Sequence, residues 1–566
     1  MKHLFLLIIF YLIMSANPIQ FNKYINNKKF LYKWKYILHL ENKNFSKINE
    51  YFYLSYPNIT LLNELILDLN EIKNNKKFVC EFPFRYLFLK KYFDLPKYDL
   101  KNCKKLQHFY NNFSKSKVGI IFSAEYASSP QSSFGHVMLI FKNKNSFLNS
   151  DVVHFAAKSN LHDGFFIYSF KGLFGKYDAY YLREKLFRKY YLYNIKQQRT
   201  MYIYWLNFNK KDIRLLIYYL YELRKFKAKY YFTSLNCSSA LIEILKVIKP
   251  KINDNFNYVF LPIDTIKRLN KYIEKVQILP SLEIQVVLLA KKLSKKDKQI
   301  FDNIVTLKNL NYNYKNFSNS LKELLNKYYL YKFYKYHYVY PNYNQVTKLN
   351  YKESKIDYKS IIKSPLKRTQ PSEIFIKKYN KNLYYFEFRP FLIGINDQQK
   401  FNKLDKKIYK IFYIQIFYKK NHIKLQRFDL FNLKSLNINY SPYLKPFSWG
   451  FYLGLNRENK KSYLLFNSEL NYGYTYNSIF NSIISLLGGI GFYLRNKNYF
   501  YIKPEIYFIK YFNKSSLIIH SYYKYLEDYY NFKISYNIYY KNYIFSIGKE
   551  LNNNESKIYL GIGYNF

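Results

Sequence analysis

The 566-residue sequence predicts an α+β domain, a helical segment and a C-terminal antiparallel β-barrel of the outer-membrane type. Three observations predict it. Up to about residue 335 the apolar residues recur at helical spacing or in short runs between polar turns. From about residue 372 the period becomes two. The alternating segments are rich in aromatic residues, of which the chain has 69 Tyr and 51 Phe, as strands that cross a membrane are. The same composition excludes other classes. An aromatic content of 22% is too high for a chain that cannot collapse, and three Cys are too few for a disulfide scaffold.

The N-terminus reads as an address. Met1-Lys2-His3 is a short basic start, and Leu4 to Met14 is an unbroken apolar run followed by Ser15-Ala16-Asn17-Pro18. Eleven apolar residues are too few for a bilayer, which takes ~20. They fit a secretory signal peptide over residues 1–16, cleaved after Ala16. An exported protein is free to form disulfides. Cys80 and Cys103 lie 23 residues apart and are the expected pair, which leaves Cys237 as an odd thiol; three inert buried thiols are the alternative.

Residues 20–280 read as the α+β domain. Val118 to Phe122, Val137 to Phe141 and Val152 to Ala156 are apolar runs of strand length. Asp212 to Lys227 is expected as a helix, with Ile213, Leu216, Leu220 and Leu223 on one face. A second helix follows Cys237, which shares a face with Leu241, Ile244, Leu245 and Ile248, and Pro250 stops it. Residues 281–370 read as a helical segment and a polar connector. Residues 372–566 carry the barrel, in about 10–12 strands. The clearest is the last, where Ile558, Leu560, Ile562, Tyr564 and Phe566 alternate with Tyr559, Gly561, Gly563 and Asn565. A terminal Phe566 on such a strand resembles the end of bacterial outer-membrane barrels. A soluble antiparallel sandwich is the alternative, since one apolar face suits both.

The charge of +54 argues for little by itself. The basic residues are spread along the chain among Asn, Ile, Tyr and Phe, the set that AT-rich codon usage produces. No Walker loop, zinc-finger spacing or aromatic nucleic-acid signature accompanies them, so no nucleic-acid partner is expected. Where the basic surface has a function, acidic lipid head groups suit it better. No metal and no cofactor is expected.

The chemistry gathers on Cys237. It opens a helix, where backbone N–H groups favour the thiolate, the nucleophilic form. A thiol nucleophile needs a base. His136, in Ser132-Ser133-Phe134-Gly135-His136, opens one expected strand, and His154, in Asp151-Val-Val-His154, lies on the next. A hairpin would set them side by side, with His136 as base and His154 orienting its ring.

The order His136, His154, Cys237 resembles the circularly permuted, NlpC-type papain-like fold of the lecithin retinol acyltransferase family. A closer resemblance, over most of the chain, is to the bacterial Lnb N-terminal periplasmic domain family, the lipoprotein N-acyltransferase type. It rests on Cys80-Glu-Phe-Pro-Phe-Arg85-Tyr86, Ser132-Ser-Phe-Gly-His136, Lys171-Gly-Leu-Phe-Gly175-Lys-Tyr177, Asn236-Cys237-Ser238 and Leu261-Pro-Ile-Asp264-Thr265. The family more often has Asn where this chain has His154, and some members continue into transmembrane helices where this chain has its β-rich tail. The resemblance implies a thioester on Cys237, phospholipid as acyl donor and a lipoprotein N-terminus as acceptor. It implies a periplasmic domain at the outer membrane of a Gram-negative-type envelope. Ser132, Asn236, Ser238 and the Cys237 N–H are the expected oxyanion surroundings. A cysteine peptidase or amidase acting on cell-wall peptides, or a non-catalytic barrel with a periplasmic domain, are the other readings.

Overall fold

The computed structural model describes residues 23–40, 51–126, 133–158, 160, 163–253, 259–355, 357–358, 362–368, 370–380, 382–394, 405–439, 443–444, 446–457, 464–477, 482–494, 499–553 and 555–566. The expected signal peptide, 1–16, and Ser132 lie outside them. The chain divides into two compact units, Met1–Asn194 with Thr200–Leu279, and Ile195–Arg199 with Pro280–Phe566.

The first unit is built on a sheet of strands β1 Val118–Ser123, β2 His136–Phe141, β3 Asp151–Ala157, β4 Tyr177–Lys185, β5 Met201–Leu206, β6 Lys227–Tyr230 and β7 Ile273–Leu279. Their order is β6-β4-β3-β2-β1-β5-β7, and every neighbouring pair is antiparallel. β1 and β2 are buried along their whole length, which is why they read as apolar runs and not as alternating strands.

The two faces carry different layers. Met138, Ile140, Val152, Met201 and Ile203 form a core on one face, with Leu186 and Tyr193 packed on it. On the other face the ring of Phe155 lies 5.0 Å from Tyr181 and 5.9 Å from Tyr230, and the Tyr181 hydroxyl donates to the carbonyl of Ala240. Ala240 belongs to the Cys237–Ile248 helix, so this helix packs on the second face. The helix expected from 212 to 227 runs from Lys210 to Glu222, started by an Asn209–Asp212 capping box. It gives way to a 3₁₀ turn at Leu223–Lys225, because Lys227–Tyr230 is claimed by the sheet as β6.

Cys80 and Cys103 are joined in a disulfide, with Cα atoms 5.3 Å apart. Nearby, Arg85 is fully buried. Its Nη1 reaches Glu64 at 2.8 Å and Asp68 at 3.2 Å, and Nη2 donates to the carbonyl of Phe52 at 2.7 Å. The rings of Phe52 and Phe82 flank the guanidinium at 4.4 and 4.5 Å. Glu222, also buried, accepts from the backbone N–H of Arg85 at 2.9 Å.

In the second unit, helices Leu282–Ala290, Lys295–Val305 and Asn319–Tyr336 precede the barrel. The barrel strands are β8 Glu373–Tyr379, β9 Leu383–Arg389, β10 Phe391–Ile393, β11 Asp405–Lys419, β12 His422–Asn439, β13 Ser448–Asn456, β14 Leu465–Asn477, β15 Ser482–Leu494, β16 Tyr499–Tyr511, β17 Ser515–Lys524, β18 Tyr529–Tyr540, β19 Tyr543–Asn552 and β20 Glu555–Asn565. β9 and β10 pair with β11 in a single register and are one strand interrupted at Pro390, which has no N–H for the ladder. Among the described residues the sheet therefore has twelve strands, and β20 pairs with β8 to close it. Closure leaves no strand edge unpaired, the condition for a sheet in lipid.

Apolar side chains point outward, among them Ile374, Leu470, Ile490, Ile502, Ile547 and Leu560. Ile558, Ile562 and Tyr536 are exposed as their alternation predicts, and Phe466 is half-buried. Several charged groups point inward and are paired. Lys434 on β12 reaches Glu505 on β16 at 2.5 and 2.6 Å, and Arg389 is held by Glu373 and Glu387. Among the described residues no helix is long and apolar enough to cross a membrane.

Candidate functional site

The site forms where the N-terminal end of β2 meets the helix that opens at Cys237. Asn236 caps that helix. Its side-chain oxygen accepts from Ser238 N–H at 2.8 Å and Ser239 N–H at 3.3 Å, and the Ser239 hydroxyl accepts from Asn236 N–H at 3.1 Å. The amide nitrogen of Asn236 donates to the carbonyls of Phe232 and Phe260, at 3.0 and 2.7 Å. Both amide hydrogens are thereby used in holding the turn, so in this structure Asn236 is the cap that fixes Cys237.

The Cys237 thiol is 3% exposed. Groups that favour its thiolate form are the backbone N–H of Val137, the hydroxyls of Ser238 and Tyr230, and its own N–H. That Val137 N–H belongs to the peptide linking Val137 to His136, so the thiol stands one peptide unit from His136. Burial outweighs these groups and pushes the thiol above its ordinary pKa. The N–H groups of the helix start act in the expected direction, but desolvation of the charge exceeds what the local donors return. The Cys237 N–H donates to the Tyr230 hydroxyl at 3.4 Å, so this expected oxyanion donor already has a partner.

Gly135 shapes the approach to His136. Its φ of +94° is a conformation that a side chain disfavours, and a Cβ would lie 2.9 Å from the Phe122 ring and from the carbonyl of Ser123. The chain turns there directly into β2. His136 and His154 are both buried. Their rings meet edge to face, with centroids 5.9 Å apart and planes at 80°. Their places on β2 and β3 put them on the face that carries Met138, Ile140 and Val152, and Tyr193 lies 5.9 Å from the His136 ring. The imidazole pair thus occupies the face opposite the body of the thiol helix, and the thiol meets the sheet at the strand end.

His154 Nε2 lies 3.1 Å from Glu184 Oε1, which Lys189 also reaches at 2.7 Å. Burial lowers the His154 pKa below the ordinary imidazole range, while Glu184 raises it. The hydrogen bond from His154, with Lys189, holds Glu184 down at about 2. His154 is therefore neutral at pH 7 and directs Nε2–H to the carboxylate, and its buried Nδ1 has no hydrogen-bond partner among the described residues. Glu184, Lys189 and Tyr230 were not legible as site residues. Glu184 reaches His154 because β4 pairs His154 with Leu182, which places residue 184 on the same face. Among the described residues no group of three or more His, Cys, Asp or Glu is disposed to hold a metal ion.

Residues 105–272 match the model of the Lnb N-terminal periplasmic domain family. The chain carries a domain of the Lnb type. The match spans β1 to β6 and includes His136, His154, Glu184 and Cys237. Residues 377–529, within the barrel, match a domain family of unknown function. No curated protein matches the chain. Solved structures similar to it include the KdgM porin in complex with disordered oligogalacturonate, at 8% identity over 34% of this chain and 98% of that one, with a TM-score of 0.23. A triple mutant of the Rhodopseudomonas blastica porin is another, at 6% identity over 35% and 99%, with a TM-score of 0.16. The Lnb-type periplasmic domain and the closed barrel together fit a membrane-associated envelope protein of a Gram-negative bacterium.

Proposed function

We propose that this protein is an envelope acyltransferase that carries the acyl chain as a thioester on Cys237. The observation that supports the reading is the thiol at the first turn of a capped helix, hydrogen-bonded by the peptide next to His136, with His154 held beside that ring. On this reading the core is of the permuted papain-like kind. The reaction balances with the residues at hand. His136 takes the thiol proton and the sulfur attacks an ester carbonyl of a phospholipid. The C–O bond breaks, and the departing lysophospholipid alkoxide takes the proton back from the imidazole. The α-amino group of a lipoprotein N-terminus then attacks the thioester, the C–N bond forms and the C–S bond breaks, and the proton that the amine loses passes through the imidazole to the departing thiolate. A tetrahedral oxyanion arises in each half, and the N–H of Cys237 serves it once the Tyr230 hydroxyl moves aside.

A second reading, a non-catalytic periplasmic domain, is favoured by the burial of the thiol and its raised pKa. Mass spectrometry of the purified protein incubated with phospholipid separates the two. An added acyl mass on the wild-type chain that is absent from Cys237→Ser is expected. An unmodified wild-type chain refutes the acyl-transfer reading.

A further inference from the structure

The Phe165–Leu173 helix takes no part in the site as described, although the Lys171-Gly-Leu-Phe-Gly175 stretch at its end stood out in the sequence. Its two sides differ sharply. Toward the domain, Tyr168 packs on Tyr177 and Phe232, with ring centroids 5.5 and 5.4 Å away, and Ser169 is buried. Gly172 permits this approach, since a Cβ there would lie 2.2 Å from the Phe232 ring, and its carbonyl accepts from Phe232 N–H at 3.0 Å. The Phe232 ring in turn meets the Tyr230 ring edge to face at 6.0 Å, and the Tyr230 hydroxyl accepts from the Cys237 N–H. Two rings thus connect the inner side of the helix to the turn that carries the thiol.

The outer side is apolar and open. Ile167, Phe170 and Phe174 are 54%, 59% and 59% exposed, and their spacing of three and four residues puts them on one stripe. Three large apolar side chains held together in water mark a contact surface. The charges around the stripe say what covers it. Lys171 lies on the helix, Lys158 and Lys176 flank the ends of β3 and β4 next to it in the chain, and Lys227 and Lys229 lie on β6, which pairs with β4. The carboxylates among them are already engaged, Asp163 by Lys171 and Tyr177, and Asp178 by Lys227 and Lys229. An apolar stripe beside an excess of lysine matches a bilayer surface, where acyl chains lie below a layer of phosphates. A soluble protein partner would not need both layers in that order.

We propose that the Phe165–Leu173 helix lies in the surface of a phospholipid bilayer, with Ile167, Phe170 and Phe174 among the acyl chains and the lysines at the phosphates, and that it presents bilayer lipid to Cys237. Only the last step rests on the acyl-transfer reading; the docking does not.

The test uses the full chain reconstituted in vesicles of phosphatidylethanolamine and phosphatidylglycerol. In a Cys237→Ser background, Phe170→Cys is labelled with an environment-sensitive fluorophore, and Lys105→Cys, on another exposed helix of the same unit, is the control. The emission at 170 is expected to shift to the blue and to be quenched by spin-labelled lipid, and the emission at 105 is not. Equal emission and quenching at the two positions overturns the docking. A second arm measures acyl adduct on Cys237. The Phe170→Asp/Phe174→Asp variant should form it roughly 10-fold more slowly from vesicle lipid and at the wild-type rate from a short-chain, monomeric phospholipid. Equal loss on both lipids overturns the presenting role. A label immersed at 170 without an adduct in any protein leaves docking standing and refutes acyl transfer alone.

Discussion

His154 on β3 and Glu184 on β4 meet at 3.1 Å, and this contact opposes the burial that keeps the ring beside His136 neutral. Burial lowers the His154 pKa and the carboxylate partly restores it. A histidine held below its unfolded value stabilises the fold least in acid. The unfolded chain binds the proton that the folded ring refuses, so stability falls as pH drops through the unfolded pKa of about 6.5. In an NMR titration His154 should respond below the ordinary imidazole range, and lower still in Glu184→Gln. A midpoint at or above 6.5 in the wild type contradicts the assignment.

The proposed roles order the activities of the site variants. In an assay of palmitoyl transfer from phospholipid to a diacylglyceryl peptide, Cys237→Ala should be inactive, since no other residue carries the thioester. His136→Ala should lose typically 10²–10⁴-fold, the range of general-base assistance. His154→Asn should be milder than His154→Ala, because an amide keeps a hydrogen-bond donor for Glu184. Wild-type turnover in Cys237→Ala removes the mechanism, and release of peptides from cell-wall fragments without acyl movement replaces it with hydrolysis.

Glu222 gives the first unit a pH dependence of its own. Burial raises its pKa to about 8, against the lowering effect of Arg85. An acid raised in the folded state binds a proton that the unfolded chain gives up. Its contribution is full below the unfolded value of about 4.3 and is lost as pH rises toward 8. Thermal unfolding followed from pH 5 to 8 should show this loss, and Glu222→Gln should flatten the curve. An unchanged slope in the variant would assign the dependence elsewhere.

Across the barrel, Lys434 and Glu505 bond from β12 to β16, and His520 also reaches Glu505, at 2.7 Å. Glu505→Ala leaves Lys434 buried without its carboxylate, which typically costs ~3–5 kcal/mol. The unfolding midpoint of the barrel in urea, read from the shift between folded and unfolded bands on a gel, should fall accordingly. Glu505→Gln, which keeps a hydrogen-bond acceptor, should fall less. A midpoint unchanged in Glu505→Ala would mean that the lumen lets water solvate the freed lysine.

The architecture was legible in the sequence where one physical rule acts locally. A strand in a barrel wall must show one side chain to lipid and the next to the lumen, so Ile558, Leu560 and Ile562 announce their face by position alone. The Cys237 helix was legible for the same kind of reason, since its apolar spacing and Pro250 are local. Strand pairing decided the rest. Glu184 meets His154 through the register of β3 with β4, and no spacing along the chain encodes that register. The thiol's state is also a tertiary matter. The helix N-terminus and the donors of Val137, Tyr230 and Ser238 favour the thiolate, but burial outweighs them, and burial is a sum over elements that only folding brings together. Sequence determined which residues could do chemistry and which face of each element is apolar, because those are properties of the chain's local geometry. Only the folded structure decided which of them share a face and how dry that face is, because desolvation and hydrogen-bond partners come from distant segments.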